Sequence, residues 1–115
     1  MAIIFHITTR PAWNRSAAEG IYRTDTLPAE GFIHCSTRDQ VLQVANARFR
    51  SQADLVLLWI DTDKVTAEII YENLEGGQQL FPHIYGKLNI DAVVEVAEFE
   101  PGADGYFQVP AVDTQ

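Results

Sequence analysis

Leu55-Val56-Leu57-Leu58-Trp59-Ile60 is the longest apolar run in the chain. It is far shorter than the ~20 residues an apolar helix needs to cross a bilayer. A half-exposed strand would alternate apolar and polar side chains, so this uninterrupted run reads as a β-strand buried on both faces. Such a strand needs cover on each side, and the segments before and after it must supply that cover.

Upstream there are two strand-to-helix passages. Ala2 to Ile7 is rich in β-branched and aromatic residues and reads as a first strand. Thr8-Thr9-Arg10-Pro11 then starts a helix, with Thr8 or Thr9 as N-cap and Pro11 in the first turn, where its missing N–H costs nothing. Trp13 and Ala17 share one face of that helix, and Gly20 stops it. Ile21 to Arg23 reads as a short strand and Thr24 to Gly31 as a loop. After the brief apolar run Phe32 to Cys35, Thr37 and Gln40 have capping-box spacing. The helix they open carries Val41, Leu42, Val44, Ala45 and Phe49 at a 3.6-residue period and ends near Arg50.

Downstream the chain is strand-rich. Asp61-Thr62-Asp63 turns it, Ala67 to Glu72 reads as a strand, and Glu75-Gly76-Gly77 turns it again. Pro82 argues against a central strand at Phe81 to Gly86, because proline cannot donate to a ladder. Leu88 to Ala92 reads as a connector, Val93 to Phe99 as a closing strand, and Tyr106-Phe107 as an edge pairing in a tail that begins at Pro101. The order β-α-β-β-α-β-β-β implies an α+β fold, a mixed or antiparallel sheet with two main helices packed on it.

The 115 residues make one domain, with its core over about 2–100 and a tail over 101–115. At 47% hydrophobic and 21% charged residues, the composition is globular and not disordered. Eight Lys and Arg against sixteen Asp and Glu leave a net charge of −8. That charge argues against nucleic acid and anionic membrane surfaces as partners, since both recruit basic residues. Met1 to His6 lacks the basic region of a signal peptide, so a cytoplasmic protein is expected. The single cysteine, Cys35, excludes an internal disulfide and a cysteine zinc cluster, and reads as a buried, inert thiol.

His6, His34 and His83 are the candidate catalytic residues, each inside an apolar stretch. His6 and His34 both stand on a strand that leads into a capped helix, and helix N-termini attract anions. Two such strand ends side by side would form a small polar pocket. In an acidic chain, Arg10, Arg23 and Arg38 near these segments are candidate phosphate contacts. Thr8, Ser36 and Tyr85 complete the candidate ligand-binding set with Arg10 and Arg23, and Glu72 is a further acid/base candidate. The histidines show no H-x-x-x-H spacing, although a three-histidine metal site assembled from distant strands stays open as an alternative. There is no glycine-rich phosphate loop and no G-x-S-x-G elbow.

The segments Ile4-Phe5-His6-Ile7-Thr8-Thr9, Glu30-Gly31-Phe32-Ile33-His34-Cys35-Ser36-Thr37 and Leu80-Phe81-Pro82-His83-Ile84-Tyr85-Gly86 resemble the signature of the small bacterial proteins called domain of unknown function 952. The likeness runs from about residue 3 to 99. More distantly, the histidine motifs resemble the ADP-ribosyltransferase-like superfold, in the branch that includes RNA 2′-phosphotransferases. That resemblance implies NAD as cofactor. It gives His6, with Thr8 beside it, the hydrogen bond to the nicotinamide ribose, and it gives His34 with Ser36 the second motif. Ile7 stands where that branch carries a glycine. The charge of −8 points away from RNA and toward a small-molecule ligand. The expectation is therefore a pocket that binds NAD or a related nucleotide and transfers ADP-ribose or a similar group. The alternatives are a non-enzymatic small-molecule-binding or interaction module and a metal-dependent enzyme with a three-histidine site. The oligomeric state is left open.

Overall fold

The apolar run lies at the centre of the molecule. In the computed structural model, which describes residues 2–22, 31–73 and 79–108, β4 (Leu55–Asp61) is buried at every position. It pairs antiparallel with β1 (Ile3–Thr9) on one side and β8 (Val93–Phe99) on the other. Leu55, Leu57 and Trp59 face a cluster with Phe5, Ile7, Phe99 and the α2 residues Val41 and Ala45, α2 being Arg38–Arg48. Val56, Leu58 and Ile60 face the opposite cluster with Ile4, Tyr22, Ile33, Ile84 and Leu88, against which Trp13 of α1 (Arg10–Glu19) also packs. Each of these fully buried aliphatic side chains contributes about 1.5–3 kcal/mol relative to exposure.

A second sheet holds β3 (Ile33–His34), β6 (Phe81–Tyr85) and β5 (Glu68–Glu72), with β6 in the middle. A two-stranded ladder joins β2 (Ile21–Tyr22) to β7 (Leu88–Asn89). All recorded pairings are antiparallel, so the fold is α+β with two helices and antiparallel sheets. The observed order adds β6 and β7 to the strands expected from sequence.

The helix starts follow the sequence. Thr9 caps α1, its Oγ1 accepting from the Ala12 N–H at 3.2 Å, and Gly20 closes it in the left-handed conformation. At the start of α2 the Gln40 side chain accepts from the Thr37 N–H at 3.0 Å. No helix among the described residues is long and apolar enough to cross a membrane.

Two expectations need correction. Pro82 sits within a central strand. Its neighbour β3 ends at His34, and the last bond across that edge runs from the Cys35 N–H to the Pro82 carbonyl at 3.0 Å. The missing proline N–H therefore falls where the ladder stops. Tyr106-Phe107 forms no strand. Phe107 is instead buried, stacked on Phe99 with ring centroids 4.6 Å apart. Arg23, most of the Thr24 to Gly31 loop and the Glu75-Gly76-Gly77 turn lie outside the described residues.

Candidate functional site

The two three-stranded sheets pack against each other through a shared core, and among the described residues one isolated backbone bridge joins them. The Phe5 N–H donates to the Ser36 carbonyl at 2.7 Å, and the Ser36 N–H returns the bond at 2.8 Å. In a continuing antiparallel ladder the next bonded pair would place Ile7 against His34. The strands part instead, and the imidazole of His6 takes that place, its Nδ1 donating to the His34 carbonyl at 2.6 Å. The split opens a cleft of about 210 Å³. Phe5, Ile7, Val44, Phe49 and Phe81 supply its apolar walls. All three histidines, Ser36, Cys35 and Arg48 complete the lining.

His6 is committed on both nitrogens. A carbonyl only accepts, so Nδ1 carries the proton. Nε2 of the neutral ring then faces the Tyr22 hydroxyl at 2.8 Å, which also lies 2.9 Å from the Thr8 hydroxyl. Burial pushes the His6 pKa down to about 4, which keeps the ring uncharged near neutrality. Cys35 is buried and its thiol pKa is raised by that burial, so it lacks the thiolate character a nucleophile needs.

His83 is held differently. Its Nδ1 donates to Glu72 Oε2 at 2.8 Å, and Phe32 stacks on the ring at 4.2 Å between centroids with a 17° interplanar angle. The Tyr85 hydroxyl donates to the same carboxylate oxygen. These two donors, Tyr85 first and His83 second, hold the Glu72 carboxyl below the usual carboxylate range, and the Tyr85 pKa is raised by the same bond. The exposed imidazole of His34 makes edge contacts with Phe32 and His83, at 4.7 and 5.2 Å between ring centroids.

The structure thus brings His6, His34, His83 and Ser36 to one cleft, with Thr8 behind His6 and Tyr85 behind His83. Arg10 is not among the lining residues and pairs with Asp54 at 3.6 Å and Glu98 at 3.3 Å. Arg38 opens α2 in an exposed position, also outside the lining. The cation that does line the cleft, Arg48, is one the sequence reading missed. Its signal is its spacing from Val41 and Val44, which places a charge on the apolar stripe of an amphipathic helix. Tyr22 and Phe32 were also missed, since their roles depend on contacts with distant histidines. Among the described residues no three His, Cys, Asp or Glu side chains converge to hold a metal ion.

Fold and cleft together define a small α+β protein in which two antiparallel sheets diverge around a histidine-lined opening. The family described as "Protein of unknown function (DUF952)" matches residues 7–96, and the chain belongs to it. The crystal structure of protein CC0527 from Caulobacter crescentus is 34% identical and superposes with a TM-score of 0.83, over 92% of this chain and 93% of that one. The solution NMR structure of the same protein gives 0.81 at 34% identity, over 94% and 93%. No curated protein matches the chain.

Proposed function

We propose that the cleft binds NAD or a closely related nucleotide and transfers ADP-ribose or a similar group from it. The observation that carries this reading is the convergence of three histidines from three separate strands with Arg48 in one partly apolar cleft. Arg48 offers a bidentate partner for a phosphate in a chain that otherwise repels anions. His34 and Ser36 offer polar contacts for ribose hydroxyls, and the aromatic walls suit a planar base. His6 acts from behind, fixing the His34 carbonyl at the mouth of the split. Breaking a nicotinamide–ribose bond needs a positioned ribose and a clamped phosphate more than a strong base. With both His6 nitrogens engaged, a three-histidine metal site is the weaker reading.

Calorimetric titration with NAD and with ADP-ribose tests the proposal. Wild type is expected to give a saturable heat, and His34→Ala and Arg48→Gln to bind at least about tenfold more weakly, the cost of one charge-assisted contact. No heat from wild type overturns the reading. Binding without nicotinamide release on long incubation leaves a non-enzymatic binding module.

A further inference from the structure

Glu72, His83 and Tyr85 form a unit of their own on the face of the second sheet. In the β5–β6 register Ile70 lies opposite His83 and Glu72 opposite Phe81, so Glu72 reaches His83 diagonally across the ladder. The Glu72 side chain keeps 21% of its exposure while that of His83 keeps 3%, so the carboxylate sits at the rim and the imidazole inside. An ionised carboxylate can only accept, which places the proton of a neutral His83 on Nδ1 and leaves Nε2 with its lone pair. The ring's hydrogen bond to Glu72 uses Nδ1, no hydrogen bond to Nε2 occurs among the described residues, and the ring lines the cleft. Stacking on Phe32 prevents the ring from turning away. Tyr85 occupies the same Glu72 oxygen and fixes the carboxylate as an acceptor.

We infer that Glu72 and Tyr85 are positioning residues for His83, and that His83 Nε2 is the proton acceptor of the cleft, serving a hydroxyl-bearing acceptor molecule. The inference rests on the nucleotide reading above and deepens it. In the transfer step the acceptor oxygen bonds to the anomeric ribose carbon. The bond from that carbon to the nicotinamide nitrogen breaks, and its electron pair leaves with neutral nicotinamide. The acceptor's proton passes to His83 Nε2, and the Glu72 carboxylate stabilises the imidazolium that forms.

Long-range proton–nitrogen NMR reads which nitrogen of His83 carries the proton, with no ligand present. Wild type is expected to show a bare Nε2, Glu72→Leu to lose that preference, and Glu72→Asp to restore part of it. A wild-type ring protonated on Nε2 and bare on Nδ1 overturns the inference. Nicotinamide release from NAD supplies the second arm. His83→Gln and Glu72→Leu are expected to keep NAD affinity within about twofold while release falls by roughly a hundredfold, the usual contribution of a positioned base. Equal release by wild type and His83→Gln, or none by wild type, overturns the proton-acceptor role. Absence of NAD binding together with the expected tautomer sinks the nucleotide reading while the positioning of His83 by Glu72 stands.

Discussion

Both nitrogens of the His6 ring are engaged inside the protein, and this makes folding sensitive to acid. The folded ring titrates at about 4 against an ordinary 6.5, because burial disfavours its charged form. Between those values the unfolded chain binds a proton that the folded chain refuses. The His6 contribution is therefore fully present above pH 6.5 and is lost as the pH falls toward 4. Urea unfolding at a series of pH values is expected to show a loss of roughly 3 kcal/mol across that window for wild type. His6→Gln should lack this component, and equal slopes for the two proteins would refute it. Glu72 acts at lower pH, since its folded carboxyl lies below the ordinary 4.5. Its stabilisation is present above that value and is lost as the pH falls through the folded one, so the two effects separate along the pH axis. Residue types are legible at this scale, because three histidines in apolar flanks already mark themselves in the sequence. Their partners are not legible. The His6 bond reaches 28 residues along the chain to a carbonyl, and backbone acceptors leave no trace in composition.

Among the elements, α2 shows where a local rule meets a tertiary constraint. Thr37 and Gln40 have capping-box spacing, and glutamate would serve as well as glutamine in that motif. Here the buried Gln40 has a second duty, since its Nε2 donates to the Leu80 carbonyl at 2.7 Å and ties the start of α2 to the segment entering β6. Gln40→Glu keeps the acceptor for the Thr37 N–H but sets a carboxylate oxygen against a carbonyl. The variant is expected to lose about 1–3 kcal/mol in chemical denaturation, the cost of an unsatisfied buried group. An unchanged midpoint would show that the Leu80 tie carries no energy. The helix starts at Thr9 and Thr37 and the span of β8 are legible because caps, turn residues and period lie within a few positions of each other. The place of β6 in its sheet is not. Pro82 is excluded from central strands only where a neighbour needs its N–H, and that depends on β3 ending at His34, a fact of pairing and not of local sequence. The same pairing brings His34 and His83 together, so the misjudged strand and the unforeseen His34–His83 contact have one cause.

For the whole molecule, the charge of −8 and the last described segment both bear on how the protein holds together. Arg10 is drawn to Asp54 and Glu98, the Arg50 guanidinium lies over the Tyr106 ring at 4.2 Å, and Arg48 lines the cleft. A net charge of −8 repels a polyanion more strongly than a small anion, because long-range repulsion grows with the partner's charge. The described part of the segment after Pro101, residues 102–108, looks like a tail in sequence, yet its Phe107 closes one end of the main core. Phe107 keeps 3% exposure and stacks on Phe99 at 4.6 Å, and its N–H donates to Asn46 Oδ1 on α2 at 2.7 Å. A domain of this size is stable by only about 5–15 kcal/mol, so the last core aromatic accounts for a large share of the margin. Phe107→Ala is expected to cost roughly 3–5 kcal/mol through lost burial and the cavity left beside Phe99. Its neighbour Tyr106, whose exposed ring lies under the Arg50 guanidinium, supplies the control. Tyr106→Ala is expected to cost about 1 kcal/mol or less, as an exposed cation–π pair does. Urea midpoints of the two variants decide the matter, because comparable losses would mean that Phe107 does not close the core and that the fold is complete by Phe99.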